Sequence, residues 1–313
     1  MTSTLSTPHN IAVLIPCYNE EAGIRKVVTD MQKNLPSALV YVYDNNSTDQ
    51  TIARATDAGA IVRSESRQGK GNVVRRMFAD IDADLYIMID GDGTYDPKAA
   101  PTLIQELIKN KLDMIVGTGK EESESAHRTG HKYGNIVFNW VLSILFKSPF
   151  KDIFSGYRVF SRRFVKSFPP LSSGFDIETE LSIYALEMNL PVKEIPTSFF
   201  DRTEGSVSKL NTFKDGFRIL WRMIFLFKEC KPMVFFGIFF IFFTLLSLGL
   251  GSILINEFIT TGLVLRIPTA IICVGSTILG FLSLAFGLIL DSVSRARKES
   301  KIMHYLSHKI TRD

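Results

Sequence analysis

The chain has 313 residues, enough for one domain of ordinary size and a further part, and its 46% hydrophobic content is concentrated in the last third. A net charge of +4 is too small to indicate a nucleic-acid binder. Three widely spaced cysteines, Cys17, Cys230 and Cys273, form neither a CxxC pair nor a metal-ligand spacing, so free thiols in a reducing compartment are expected.

Met1–Asn10 is polar and lacks the basic and apolar parts of a signal peptide, which places the N-terminal part in the cytosol. Ile11–Ile15 is an apolar run stopped by Pro16, a first strand followed by the loop Pro16-Cys17-Tyr18-Asn19-Glu20. A helix from about Glu21 to Asn34 carries Ile24, Val27, Val28 and Met31 on one face. Leu39–Tyr43 is the second strand, ending in Asp44-Asn45-Asn46-Ser47, and Asn46 or Ser47 can cap a helix over Thr48–Ala58. Ile61–Val62 is a short third strand. The turn Arg67-Gln68-Gly69-Lys70-Gly71 precedes a helix over Asn72–Ile81.

Leu85–Ile89 reads as a strand buried on both faces, and it ends in Asp90-Gly91-Asp92-Gly93. Two carboxylates one residue apart at a strand's C-terminal end repel each other unless a cation lies between them. Mg2+ is commonly held by one or two carboxylates together with substrate phosphates. An acidic surface turn is the plainer alternative. Pro97 opens a helix to about Asn110, and Met114–Val116 is a fifth strand. The alternation of strands and helices gives an α/β, mostly parallel sheet covered on both faces. Its C-terminal rim carries Tyr18–Glu20, Asp44, Gly69–Gly71 and Asp90–Asp92, a set suited to a nucleotide. Lys70 is either a phosphate contact or a solvated lysine, since Gly69-Lys70-Gly71 lacks P-loop spacing.

Thr118–Thr129 is polar and aperiodic, a mobile surface loop by pattern, with Arg128, His131 and Lys132 either binding an anion or forming a solvated basic turn. Tyr133–Phe146 is an apolar helix, and Phe175–Met188, with Glu178 and Glu180, another. Between them Asp152 and Arg158 are opposite charges in an apolar stretch, for which a structural pair is the plain account. Lys193–Phe200 is a strand. Arg202–Lys209 combines two cations, three hydroxyls and a glycine, the groups that bind phosphate. Phe213–Phe227 interleaves aromatic and basic residues, an amphipathic helix for a membrane interface. Met233–Ile255 and Ile267–Leu290 are uncharged and long enough to cross a bilayer. Lys228 and Lys231 precede the pair, and Arg295, Arg297, Lys298 and Lys301 follow it, so the positive-inside bias puts both termini in the cytoplasm.

The strings Pro16-Cys17-Tyr18-Asn19-Glu20, Asp44-Asn45-Asn46-Ser47-Thr48-Asp49, Asp90-Gly91-Asp92, Ser155-Gly156-Tyr157-Arg158 and Arg202…Ser208-Lys209-Leu210 occur in one order. In this the chain resembles the inverting family 2 glycosyltransferases of the GT-A fold, and within them the polyprenyl-phosphate glycosyltransferases related to dolichol-phosphate mannose synthase and the bacterial two-span GtrB type. The likeness implies a GT-A domain over 1–210, a juxtamembrane helix over 211–231, two spans within 232–291, and a basic cytosolic tail over 292–313. It implies that Pro16, Tyr18, Glu20 and Asp44, with Lys70, Asp90 and Gly91, bind the nucleotide of a UDP- or GDP-linked sugar. Asp90 and Asp92 would hold Mg2+ or Mn2+. Asp152 would be an acid needed for activity, with Glu178 a lesser candidate, and Arg128, Arg158, Arg202, Ser208 and Lys209 would receive the lipid phosphate. Thr94 departs from the Gln found at that position in many dolichol-phosphate mannose synthases, and Leu220-Trp221-Arg222 does not match the QxxRW string of processive synthases, so transfer of a single sugar is expected. A non-lipid acceptor, or a non-catalytic nucleotide-binding subunit, is the alternative. No nucleic-acid partner is indicated, and the pattern leaves a homo-oligomer open.

Overall fold

The computed structural model describes residues 9–121, 150, 152–171, 174, 176–200, 221 and 224–308. They divide into two compact units, Met1–Arg222 with Lys301–Asp313, and Met223–Ser300.

The first unit is built on a seven-stranded sheet. Its elements in chain order are β1 (Ile11–Cys17), α1 (Ile24–Asn34), β2 (Leu39–Asp44), α2 (Thr51–Asp57), β3 (Ile61–Ser64), α3 (Lys70–Asp80), β4 (Leu85–Met88), a 3-10 turn (Pro97–Ala99), α4 (Ala100–Lys109), β5 (Met114–Glu121), β6 (Arg158–Ser161), α5 (Arg162–Ser167), α6 (Ile177–Glu187) and β7 (Val192–Phe199). The sheet order is β3-β2-β1-β4-β6-β5-β7. All pairings are parallel except those of β6, which runs antiparallel to both β4 and β5.

Residue type explains the placement. Every residue of β1 and β4 is buried, as expected for central strands covered on both faces. One face packs Val13, Ile15, Val42, Ile87 and Val159 against Ile24, Val28 and Met31 of α1 and Leu103, Ile104 and Leu107 of α4. The other face carries aromatic packing: Phe78 of α3 meets Phe160 of β6 edge-on at 5.7 Å, Phe160 stacks on Phe164 at 5.0 Å, and Phe164 meets Tyr184 at 5.5 Å.

Three expectations are corrected, and one strand is new. Pro16 does not end β1, which runs to Cys17. The backbone of Leu14 faces β4, accepting from the Ile89 amide, and the β4 pairing stops there. Pro16 faces the same side beyond that pairing, so its missing N–H interrupts no ladder. α2 begins at Thr51 rather than Thr48, because Ser47, Thr48 and Asp49 are engaged by the loop after β1. β5 continues through Thr118–Glu121 instead of giving way to a loop, since β7 pairs with it from Met114 to Glu121. Arg158–Ser161, to which the sequence pattern assigned no element, is a strand.

The second unit contains α7 (Pro232–Thr261) and α8 (Ile267–Ser307) as far as Ser300, two helices long and apolar enough to cross a membrane. Gly262, at a φ of 72°, closes α7 in the left-handed conformation that favours glycine there. The helices meet over small residues. Ser247 Oγ lies 2.6 Å from Thr277 Oγ1, and Gly280 and Gly287 lie against Phe243 and Phe236. α8 stays helical to Ser307, through most of the segment expected as a basic tail. Within the first unit the end of that helix packs on the sheet domain: Lys301 pairs with Glu187 at 2.8 Å, and Tyr305 donates to Asp113 Oδ2 at 2.7 Å while lying under the Arg163 guanidinium.

Candidate active site

The rim begins with two loops stitched together. Asn19, at a φ of 52°, donates its amide to Ser47 Oγ at 2.8 Å and accepts the Thr48 amide on Oδ1 at 2.8 Å. The Glu20 amide donates to Thr51 Oγ1 at 2.8 Å, and the Glu21 amide to Asp49 Oδ2 at 3.1 Å. The polar residues of both motifs thus fix their loops by long-range bonds. Asp44 ends β2, is buried, and accepts the Ser47 amide on Oδ2 at 3.0 Å. Its Oδ1 is buried and takes no hydrogen bond among the described residues. A buried carboxylate oxygen in that state calls for a partner, whether water, ion or ligand.

Asn45 ties the next loop to the rim. Its Nδ2 donates to the carbonyls of Glu65 and Arg67, each at 2.8 Å, and its Oδ1 accepts the Gly69 amide at 2.7 Å. This delivers Lys70, the first residue of α3, to the end of β4. Lys70 Nζ lies 2.6 Å from Asp90 Oδ1 and 2.6 Å from Glu178 Oε1. Burial opposes the lysine's charge, but Asp90 and Glu178 outweigh it and hold the ammonium above the ordinary lysine range.

The Asp90-Gly91-Asp92 turn is packed from three sides. A Cβ on Gly91 would come within 2.7 Å of Cys17 Sγ, and one on Gly23 within 2.7 Å of the Gly91 carbonyl. A Cβ on Gly156 would fall on the Asp90 carboxylate. Asp92 is buried, and its Oδ1 accepts both the amide of Thr94 at 3.1 Å and its hydroxyl at 2.7 Å. Thr94 therefore orients Asp92. Asp90 and Asp92 offer the hard oxygen ligands that Mg2+ and Mn2+ prefer. No group of three or more His, Cys, Asp or Glu residues suited to a metal occurs among the described residues. The donor set therefore fits a cation whose remaining ligands come from a bound diphosphate.

Tyr95 is a residue the sequence pattern did not single out. It is buried beside this turn, and its hydroxyl accepts the Gly156 amide at 2.9 Å. Burial first, then the charge of Asp90, raises that hydroxyl above the usual tyrosine value. An aromatic residue in a Gly- and Asp-rich turn gives no periodic signal by which to find it. Asp152 lies near enough to act on Tyr95; its Oδ1 accepts the Phe154 amide at 3.1 Å and its own amide donates to Glu194 at 3.0 Å.

Two sequence assignments change. Arg158 is fully buried, its guanidinium donating to the carbonyls of Ser155 and Ile153 and to Ser182 Oγ at 2.8–3.0 Å. Burial lowers its pKa, against the pull of Glu178 and Asp152. It braces the segment before β6 and is not placed to receive an external phosphate. Glu178 is buried behind Lys70, and burial raises its carboxyl above the ordinary range with Lys70 acting against it. Arg128, Arg202, Ser208 and Lys209 lie outside the described residues, as do the helix expected over Tyr133–Phe146 and most of Phe213–Phe227.

The model of glycosyl transferase family 2 matches residues 12–168, which contain both rim loops, Lys70 and the Asp90–Asp92 turn. The glycosyltransferase AglJ of Haloferax volcanii is 30% identical over 297 residues, covering 94% of this chain and 97% of that protein. The chain belongs to glycosyl transferase family 2. As a family member it is a glycosyltransferase that draws on a nucleotide-sugar donor. Other similar proteins are RfbJ of Shigella flexneri, 57% identical over 124 residues (39% of this chain, 96% of that protein), and a dolichol-phosphate mannosyltransferase of Pyrococcus furiosus, 26% identical over 260 residues (79% and 70%). Among solved structures, glucosyl-3-phosphoglycerate synthase of Mycobacterium tuberculosis, crystallised with Mn2+, UDP and phosphoglyceric acid, aligns with a TM-score of 0.59 at 21% identity, covering 71% of this chain and 79% of that one. That likeness establishes the GT-A fold.

Proposed function

We propose that this glycosyltransferase moves one sugar from a UDP- or GDP-linked donor to a polyprenyl phosphate, with inversion, at the cytosolic face of a membrane. The observation that carries the lipid acceptor is that two helices of 30 and 41 residues, each with an apolar stretch long enough to cross a bilayer, follow the catalytic unit. A long polyprenyl chain stays in the bilayer, because each buried CH2 stabilises it there by about 0.8 kcal/mol. The resemblance to a dolichol-phosphate mannosyltransferase points the same way. Lys228 and Lys231 before α7, and Arg295, Arg297 and Lys298 in α8, favour the cytosol for both ends of the helix pair.

In this reading Asp44, with Pro16, Tyr18 and Glu20, receives the nucleoside, and the buried Oδ1 of Asp44 accepts one of its donors. Asp90 and Asp92 would hold Mg2+ or Mn2+, and the bound ion would supply charge neutralisation for the departing diphosphate. An oxygen of the polyprenyl phosphate attacks the anomeric carbon as the bond from that carbon to the diphosphate oxygen breaks. The electron pair leaves with the nucleoside diphosphate, and an α-linked donor gives a β-linked lipid phosphate sugar. The acceptor is already largely anionic near neutral pH, so it requires little help from a base. Asp152 orients the acceptor or removes a residual proton, and Arg128, Arg202, Ser208 and Lys209 receive its phosphate.

The experiment is a panel of sugar nucleotides offered to detergent-solubilised protein with and without undecaprenyl phosphate, the lipid product being identified by mass and its anomeric configuration by NMR. Sugar transfer that requires the lipid supports the proposal. Transfer to a soluble or protein acceptor that ignores the lipid overturns it.

A further inference from the structure

A cation joins two acids at the centre of the rim, and the transfer reaction as described does not use the second acid. Lys70 Nζ is 2.6 Å from both Asp90 Oδ1 and Glu178 Oε1. The side chain of Glu178 is 4% exposed, that of Lys70 12% and that of Asp90 28%, so exposure rises in order from Glu178 through Lys70 to Asp90. Glu178 is thus shielded from a substrate that reaches Asp90, which removes it as a proton acceptor. The same burial lets it hold Lys70 in place, because the attraction between two opposite charges is screened least where water is excluded.

Glu178 is itself held on its helix. Ser182 Oγ donates to the Glu178 carbonyl at 3.0 Å, and Arg158 donates to Ser182 Oγ at 3.0 Å. From the other side, Lys70 follows Gly69, whose φ of 126° only glycine adopts readily and whose amide is bound by Asn45. Both ends of the Lys70–Glu178 bridge are therefore anchored on rigid elements. Without Glu178 the long lysine chain loses one of its two tethers.

Resting on the donor-site reading above, we infer that Glu178 is a positioning residue that fixes Lys70 as a standing cation of the donor diphosphate site and acts on the donor only through Lys70. Lys70 is the group that touches donor phosphate, and Glu178 determines where its ammonium stands.

The test is a double-mutant cycle on the full-length protein in detergent, reading the binding of UDP and of GDP, each with Mn2+, by calorimetry. Lys70→Met should weaken nucleotide binding about 10-fold or more, the scale of one lost charge-assisted contact. Glu178→Gln should weaken it several-fold while leaving the KM for polyprenyl phosphate unchanged. The double variant should bind no more weakly than Lys70→Met alone. Lys70→Met leaves Glu178 buried and unpaired; should that variant not fold, Lys70→Gln, which can still donate to Glu178, takes its place in the cycle. Losses that multiply in the double variant, or Glu178→Gln binding nucleotide as the wild type does, overturn the inference. Wild-type protein that binds neither nucleotide overturns the donor-site reading and this inference with it, whereas wild-type binding with an additive cycle overturns this inference alone.

Discussion

Gly156 lies so close to Asp90 that a methyl group at position 156 would occupy the space of the Asp90 carboxylate. The segment before β6 and the turn after β4 are thereby registered against each other, with Tyr95 holding the Gly156 amide at 2.9 Å. Gly156→Ala must displace one of them. A displacement of about 1 Å at a reacting centre can lower turnover about 100-fold. The expected outcome is that loss in steady-state turnover, together with weaker Mn2+ binding, at a melting temperature close to that of the wild type. Normal turnover in Gly156→Ala would show that the Asp90 position is not critical.

Thr94 donates twice to one oxygen of Asp92. Thr94→Ala removes the hydroxyl contact and keeps the amide one, so Asp92 becomes less well oriented. With a hydrogen bond to a charged group contributing about 1.5–3 kcal/mol, Mn2+ affinity should fall by about 10-fold or more, and Thr94→Ser should restore most of it. Titrating Mn2+ into the three proteins in the presence of UDP or GDP measures this. Equal affinities would remove Thr94 from the site.

Asp44 has one oxygen bound to the Ser47 amide and the other buried without a partner among the described residues. Asp44→Asn keeps the shape and one acceptor but removes the charge. Nucleotide binding should weaken about 10-fold, the scale of one charge-assisted hydrogen bond, with little change in the KM for the lipid. Calorimetry with UDP and GDP, beside the lipid KM, separates the two. An effect confined to the lipid KM would contradict the nucleoside assignment.

Arg158 is the largest fully buried side chain among the described residues, and its guanidinium donates to the carbonyls of Ile153 and Ser155, the Ser182 hydroxyl and Met114 Sδ. Arg158→Met leaves those acceptors without donors, each at a cost of about 1–3 kcal/mol. The midpoint of denaturant unfolding should fall accordingly. The lipid KM of whatever protein folds should stay near that of the wild type. A stable variant with a raised lipid KM would return Arg158 to the acceptor site.

Much of this was legible in the sequence, and the exceptions have physical causes. Apolar runs such as Ile11–Ile15 and Leu85–Ile89 announced central strands because a parallel sheet buries both faces. The Asp90–Asp92 turn announced itself by charge at the end of such a run. Long-range bonding was what periodicity could not express. Ser47 and Asp49 have the chemistry of helix caps, yet they hold the loop after β1, and α2 starts later. Arg158–Ser161 is only four residues long and opens with a charge, so nothing in it signals a strand buried between β4 and β5. Arg158 and Glu178 carry the charges of site residues, and only their burial reveals that they brace the site from behind. Thr118–Glu121 is polar, and its strand conformation comes from β7, a partner more than seventy residues later in the chain.

Residues 301–308 pack on the catalytic unit through Lys301, His304 and Tyr305. They are synthesised after both apolar helices. Asp113 and Glu187 therefore receive these partners only after both apolar helices have been made. A chain halted before Lys301 would lack these ties to Asp113 and to the helices α5 and α6.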